Sequence, residues 1–187
     1  MQLALVITTF LLVEARRETY GPSAHLSIRR PTHKPIGMTP ERADRAVASF
    51  NAGFSCSQAI CRVYGEEFGL SPDGAARIAA GFGGGVARTG RICGAVSGSV
   101  MVLGLAYGGT GADDRAAKET TYAAVQEFLA AFEAVHGSVS CPELLGYDLG
   151  NPAEAAEARK AGAVPLVCPG LVRSAGMLLE EILARRA

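Results

Sequence analysis

The chain contains no tryptophan, and aromatic residues make up only 6% of its 187 residues. Neither sign of charge is in excess, because 18 lysines and arginines balance 18 aspartates and glutamates. Proteins that bind nucleic acid or anionic membranes concentrate positive charge, often next to aromatic residues, and no such run is present. We therefore expect neither nucleic acid nor an anionic membrane surface as a partner.

Short cysteine motifs are also missing. None of the five cysteines forms a Cys-x-x-Cys pair, which excludes the local signatures of a zinc knuckle, a thioredoxin-like site and covalent haem attachment. The same five cysteines are too dilute for a small disulfide scaffold. Any site that several cysteines share must therefore be assembled by the fold from separate segments.

Residues 1–37 carry no recognisable targeting signal. The apolar run 1–13 is too short to span a bilayer as a helix, and no positive residues precede it, as they do in a secretory signal. Residues 14–37 are polar, contain proline and lack periodicity. We expect residues 1–37 to be a disordered, dispensable extension and residues 38–187 to be the folded domain. We further expect a cytoplasmic protein without stable membrane insertion.

Helical periodicity dominates the rest of the chain. Apolar residues recur at spacings of three and four, and no segment alternates convincingly as a strand does. Helices are predicted to begin near Thr39, Cys56, Ser71, Ile92, Asp114, Ala153 and Pro169, and a short helical turn is predicted after Cys141. The sequence thus predicts an all-α fold, a single-domain helical bundle of about six helices, with a glycine-rich loop at residues 81–85 that adopts positive φ angles.

Glycines are unusually frequent in the predicted helix from Ile92 to Tyr107. Gly94, Gly98 and Gly104 leave a surface of small residues, although glycine within a helix costs about 1 kcal/mol relative to alanine. We expect a neighbouring helix, or a bound group, to lie against this backbone.

Four of the five cysteines stand where a helix is predicted to begin. Cys56 follows a serine in a capping-box pattern, and Cys141 repeats that arrangement. Cys93 opens an apolar run, and Cys168 directly precedes a proline, a residue favoured in a first turn. Unpaired N–H groups and the helix dipole favour an anion at a helix start. We therefore predict thiols that ionise easily, and with them redox or metal chemistry.

The other polar residues give weaker indications. Cys61 lies in the middle of a predicted helix and is expected only to pack. Arg88 and Arg91, beside the glycine loop, are able to hold an anion or offset thiolate charge, although an ordinary solvated loop is an equal alternative. The pairs 66–67 and 180–181, all glutamate, are expected to lie on solvated faces.

The residues alone leave several uses for the four cysteines open. Four thiolates match the ligand set of a [2Fe–2S] or [4Fe–4S] cluster. They serve equally well for a cycle between dithiol and disulfide. They also match a structural zinc site, which would make the chain a non-catalytic adaptor module. A fourth alternative is a helical protein with inert thiols.

A series of short segments follows a recognisable order along the chain: Phe54-Ser-Cys56-Ser-Gln58-Ala59, Gly81-Phe-Gly-Gly-Gly85, Arg88, Gly90, Cys93-Gly-Ala-Val-Ser-Gly98, Leu103-Gly104, Tyr107-Gly108, Cys141 before Leu144-Leu145-Gly146, and Cys168-Pro169. This order resembles the redox-active bacterial family labelled C_GCAxxG_C_C. The resemblance covers about residues 40–183. One element departs from the label, because this chain reads Cys93-Gly94-Ala95 with the first two residues exchanged.

The resemblance implies a redox function but no particular substrate. It implies a site made of Cys56, Cys93, Cys141 and Cys168, acting as catalytic thiols or as ligands of an iron–sulfur cluster or zinc ion, with Arg88 as a nearby charge. It also implies a partner protein of the oxidoreductase or transporter kind. Cys61 has no role in the family pattern.

Overall fold

The computed structural model describes residues 40–186, in which helices connected by turns and loops make up most of the chain. Its eight α-helices are α1 Pro40–Asn51, α2 Cys56–Tyr64, α3 Pro72–Ala79, α4 Gly94–Tyr107, α5 Arg115–His136, α6 Cys141–Leu145, α7 Pro152–Ala161 and α8 Ala163–Arg185. Short 3₁₀ turns follow α2 and α3. The described residues form no strand beyond one isolated antiparallel bridge between Ile92 and Ser140.

The all-α prediction is confirmed, with eight α-helices in the described residues where about six were expected. One further turn, Gly83–Val86, has helical hydrogen bonds but left-handed glycines inside it, and is a loop. The predicted disordered extension, residues 1–37, lies outside the described residues.

Local signals place most helix ends where the sequence predicts them. Ser55 and Gln58 form the capping box at the start of α2, with the Ser55 N–H donating to Gln58 Oε1 at 3.0 Å. The Asp114 carboxylate caps α5 by accepting from the N–H of Ala117 at 3.0 Å. Gly137, with a left-handed φ of 79°, ends the same helix.

The last helix differs from the prediction. It begins at Ala163, directly after the left-handed Gly162, and Pro169 lies inside it. Pro169 is the seventh residue of α8, and the helix continues through it although proline removes one backbone hydrogen bond and crowds the preceding turn. The expectation that Pro169 marks a helix start is therefore wrong, and Cys168 lies within a helix.

Helices α2 and α4 pack so closely that the glycines of α4 lie against the backbone of α2. A Cβ atom on Gly98 would lie 2.9 Å from the Ser57 carbonyl oxygen, and one on Gly94 would lie 3.1 Å from Cys56 Cβ. The predicted contact of a neighbouring helix is confirmed at these two glycines. It is wrong at Gly104, where a Cβ would meet nothing within 4 Å.

Helices α2 and α8 share a polar contact inside the core. Tyr64 is fully buried, and its hydroxyl donates to Glu180 Oε1 at 2.9 Å. Glu180 is only 2% exposed, so the expectation that it lies on a solvated face is wrong. Glu66 is exposed as expected, whereas Glu67 pairs with Arg42.

Within residues 40–186 no single helix combines the length and hydropathy that a membrane crossing requires. Helices α7 and α8 pass that test only as a pair, by length and composition, and the chain bends by 84° between them.

The two kinds of glycine in α4 predict opposite effects of alanine. Gly98→Ala should lower the free energy of unfolding by about 1–3 kcal/mol, because the added methyl group overpacks the α2–α4 contact. Gly104→Ala should raise it by about 0.5–1 kcal/mol, because space is free and glycine is the poorer helix former. Urea denaturation measures both. Equal effects of the two substitutions would contradict the close packing of α2 against Gly98.

Candidate functional site

Four of the five cysteines line one cavity of about 700 Å³. Cys56 is the first residue of α2, Cys93 precedes α4, Cys141 is the first residue of α6, and Cys168 lies in α8. All are at most 9% exposed, and none is in a disulfide. The fold thus gathers the four thiols that the sequence analysis singled out.

The fifth cysteine lies elsewhere, as predicted. Cys61 is fully buried in α2 and does not line the cavity. Its sulfur lies 3.5 Å from the Gly98 carbonyl oxygen and 3.7 Å from Met101 Sδ. These contacts are those of a small core residue.

The isolated bridge positions Cys93 and Cys141. The N–H of Cys93 donates to Val139 O at 2.8 Å, and the N–H of Cys141 donates to Arg91 O at 2.9 Å. Helices α4 and α6 therefore both start from the same pair of short extended segments. Because the two cysteines are tied through their backbones, their separation is fixed by main-chain hydrogen bonds.

The caps of the cysteine-bearing helices differ in detail. The capping box fixes the start of α2 at Cys56. Ser140 precedes α6, but its side chain makes no capping hydrogen bond, so the repeat of the capping box predicted there is absent. Cys168 is not at a helix start at all. It reaches the cavity because α8 passes alongside, not because a helix begins there.

The glycine loop is a left-handed turn. Five successive residues, Gly84, Gly85, Val86, Ala87 and Arg88, have φ angles of 64°, 73°, 58°, 52° and 63°. The positive φ angles predicted for the glycines are confirmed. Their continuation through three residues that carry side chains was not foreseen, and each such residue costs about 1–2 kcal/mol.

The turn packs directly against the site. A Cβ atom on Gly85 would lie 2.8 Å from Cys141 Cβ and 2.8 Å from the Arg91 nitrogen. The Gly85 carbonyl accepts from the N–H of Arg91 at 2.9 Å. The absence of a side chain at Gly85 thus makes room for Cys141.

The same turn carries Arg88 to the cavity. Arg88 is exposed, lines the cavity, and is the only described lining residue besides the cysteines that can carry a charge. Its guanidinium forms no ion pair or hydrogen bond with any residue in 40–186. Arg91 is exposed and does not line the cavity.

Cys56 and Cys168 act as a pair. The Cys56 thiol donates a hydrogen bond to the Cys168 sulfur, which holds the pKa of Cys56 well above its usual value. Burial and the other cavity cysteines raise the pKa of Cys56 further. The same hydrogen bond lowers the pKa of Cys168, against the opposing effect of burial. Cys168 is therefore the thiol of this pair that ionises first.

The other two cavity thiols are hard to ionise. Burial raises the pKa of Cys141 to about 12, with Cys93, Cys168 and Asp148 adding to the rise. Burial also raises the pKa of Cys93, although the N–H groups of Ala95 and Val96 oppose it. The expectation that a helix start makes these thiols acidic is therefore wrong for Cys56, Cys93 and Cys141.

The thiols do not have the arrangement of a site for a single metal ion. No group of three or more cysteine, histidine, aspartate or glutamate residues in 40–186 is arranged to hold a metal ion. A tetrahedral zinc ion holds its four sulfurs about 3.8 Å apart, because each Zn–S bond is about 2.3 Å. The cavity thiols nevertheless affect one another's pKa values, so they are near neighbours.

Comparison with known proteins gives one match. Residues 54–182 match the model of the family described as "Putative redox-active protein (C_GCAxxG_C_C)". The chain belongs to this family. The C_GCAxxG_C_C match begins just before Cys56 and ends after Cys168, so it contains all four cavity cysteines. No curated protein and no solved structure matches the chain significantly.

Alkylation should distinguish the thiols of this C_GCAxxG_C_C protein. In reduced, metal-free protein near neutral pH, iodoacetamide should modify Cys168 first, because its pKa is lowered and the thiolate is the reacting form. Cys56→Ala removes the hydrogen bond to Cys168, so it should shift the rate–pH curve of Cys168 to higher pH. Mass spectrometry of timed samples measures both effects.

Cys61→Ala is the matched control for that shift. Cys61 is buried, its pKa is raised to about 12, and it does not contact Cys168. An unchanged rate–pH curve in Cys56→Ala, or an equal shift in Cys61→Ala, would contradict the pairing of Cys56 with Cys168.

Alanine substitutions at two left-handed glycines distinguish the effect of backbone strain from that of displacing Cys141. Gly85→Ala and Gly69→Ala both place a methyl group at a positive φ, which costs about 1 kcal/mol of stability in each. Overlap of the methyl group with Arg91 and Cys141 adds to the cost at Gly85 alone. Only the methyl group at Gly85 would meet Cys141, because a Cβ on Gly69 meets nothing within 4 Å. Gly85→Ala should therefore change the alkylation rate of Cys141 at high pH, while Gly69→Ala leaves it unchanged. Identical rates would disprove the contact.

Proposed function

We propose that this protein is a redox carrier whose Cys56, Cys93, Cys141 and Cys168 hold an iron–sulfur cluster. One observation carries the proposal: four free thiols, brought from four separate segments, line a single cavity. Thiols that only pack in the core, as Cys61 does, need not line the same cavity, so their convergence supports a common function. The family description as a redox-active protein supports the same reading.

The chemistry of the thiols fits a cluster. Four cysteine thiolates are the ligand set of [2Fe–2S] and [4Fe–4S] centres. Burial and mutual repulsion make several thiolates costly in this cavity, and iron supplies the positive charge that offsets them. A cluster also separates its ligands more widely than a single ion does, because several irons and sulfides lie between them. When bound, the cluster would supply one-electron transfer.

Arg88 supports this assignment from the rim. A cluster with four thiolate ligands carries net negative charge, and Arg88 is the charged side chain on the cavity wall. A guanidinium without an acidic partner among the described residues is available to offset that charge. We propose that Arg88 stabilises the cluster electrostatically. We also propose that the cluster exchanges electrons with an oxidoreductase or transporter protein in the cytoplasm.

The hydrogen-bonded pair of cysteines favours a second candidate, thiol–disulfide exchange. The Cys168 thiolate would attack one sulfur of a disulfide substrate and form a mixed disulfide, releasing the first substrate thiol. Cys56, after losing its proton, would attack the Cys168 sulfur and release the second substrate thiol. The protein ends with a Cys56–Cys168 disulfide, having given two electrons to the substrate. In this scheme Cys93 and Cys141 take no part in bond exchange.

Metal analysis of anaerobically purified protein tests the proposal. The full chain should contain iron and acid-labile sulfide and absorb visible light through sulfur-to-iron charge transfer. Alanine in place of any one cavity cysteine should lower the iron content at least severalfold, because the remaining thiolates no longer complete the ligand set. Cys61→Ala is the matched control and should retain the wild-type iron content and spectrum.

Each other result points to a different function. A content of one zinc ion per chain and no iron would contradict the cluster and support a structural zinc site in a non-catalytic adaptor module. Protein free of metal, with a Cys56–Cys168 disulfide after treatment with oxidised glutathione, would establish the dithiol scheme. Loss of iron in Cys61→Ala equal to that in Cys93→Ala would show that the division of the cysteines is wrong.

A further inference from the structure

The cavity also has the wall and the volume of a small-molecule binding site. Beyond the thiols its wall is mainly apolar, with Phe50, Phe54, Leu149, Val164 and Leu171 among the lining residues. Its volume of about 700 Å³ lies within the range of roughly 300–1,000 Å³ that small-molecule sites have. A few polar groups on an apolar wall are the usual means by which such a site selects a ligand.

Most polar side chains on the wall already have partners. The Ser55 hydroxyl accepts from the N–H of Gln58 at 3.4 Å and contacts Ser57 Oγ at 3.1 Å. Gln58 donates through Nε2 to Ala76 O at 2.9 Å and accepts through Oε1 from the N–H of Ser55. These groups fix the start of α2 and are not free to bind a ligand.

Arg88 is different from those groups. Its guanidinium has no partner among residues 40–186, and it lies at the exposed end of the same cavity. The left-handed turn holds its backbone in a conformation that a side-chain-bearing residue rarely adopts. Strain of this kind persists where the surrounding structure fixes a functional position.

We propose that the cavity binds a small organic anion with an apolar body. Its anionic group would meet Arg88, and its body would lie against Phe50, Phe54 and Val164, beside the cavity thiols. The idea that this anion is a substrate of the redox centre rests on the proposed function. Binding of the anion to the cavity does not, because it can be measured without any redox activity.

Calorimetry with two matched probes tests the site. The full chain, purified anaerobically in the metal state in which it is isolated, is titrated with 2-naphthoate and with its neutral analogue 2-naphthylmethanol. Naphthoate should bind with one site per chain and more tightly than the alcohol. Arg88→Gln should weaken naphthoate about three- to tenfold, the effect of one partly exposed ion pair, and leave the alcohol unchanged. Equal losses for both probes would overturn the role of Arg88.

A pair of tryptophan substitutions in α8 tests the location. Val164 lines the cavity, so Val164→Trp should reduce the affinity for both probes at least tenfold by filling the space. Leu166 is 77% exposed and does not line the cavity, so Leu166→Trp should bind both probes as the wild type does. Thermal unfolding of both variants confirms that they are folded. Unchanged binding in folded Val164→Trp would overturn the proposal.

The result separates this inference from the function of the centre, because iron is measured in every sample. Protein that carries iron but binds no naphthoate overturns the ligand site and leaves the cluster intact. Protein without iron that binds naphthoate in a manner dependent on Arg88 and Val164 retains the ligand site and contradicts the cluster.

Discussion

Backbone contact between α2 and the start of α4 is the constraint on which the rest of the site depends. Gly94 and Gly98 let the two helices approach until the Gly94 position faces Cys56 and the Gly98 position faces the Ser57 carbonyl. Larger residues would hold the helices apart and separate Cys56 from Cys93. The bridge between Ile92 and Ser140 then extends the same arrangement to Cys141. The thiols are thus gathered by main-chain contacts, which tolerate little adjustment.

Burial outweighs the helix dipole in this site. A dipole contact favours an anion by about 0.3–1 kcal/mol when exposed, whereas burial, with Cys93, Cys168 and Asp148 adding to it, raises the pKa of Cys141 to about 12. Only Cys168, which accepts a hydrogen bond from Cys56, ionises more easily than a free cysteine. A low-polarity pocket of this kind is poorly suited to several bare thiolates and well suited to thiolates neutralised by a bound cation.

The sequence predicted local features well. Capping residues around Cys56 and Asp114, and the glycines after helices, act within a few residues and are readable without a fold. The role of Gly94 and Gly98 was readable because glycine in a helix needs a reason. The prediction misplaces Cys168, because proline favours a first turn whereas Pro169 lies inside α8.

What could not be predicted depends on contacts distant in sequence. Glu180 is expected to be solvated from its own helix, yet it is buried where Tyr64, 116 residues away, donates to it. The raised pKa values likewise follow from burial against other segments. The bridge between Ile92 and Ser140 is a single pair, too short to leave a periodic pattern. Local propensity carries no information on any of these contacts.

The left-handed turn at the rim of the cavity has an unfavourable backbone conformation. Val86, Ala87 and Arg88 together cost about 3–6 kcal/mol in backbone conformation. Hydrogen bonds offset part of this: Gly85 O accepts from the N–H of Arg91, and Val86 O accepts from the Thr89 hydroxyl at 2.7 Å. A glycine at each of these positions would form the same turn at lower cost. Glycine would not place a guanidinium on the cavity wall, so the proposed role of Arg88 gives a reason for the strain at its own position. Nothing in the structure accounts for side chains at Val86 and Ala87.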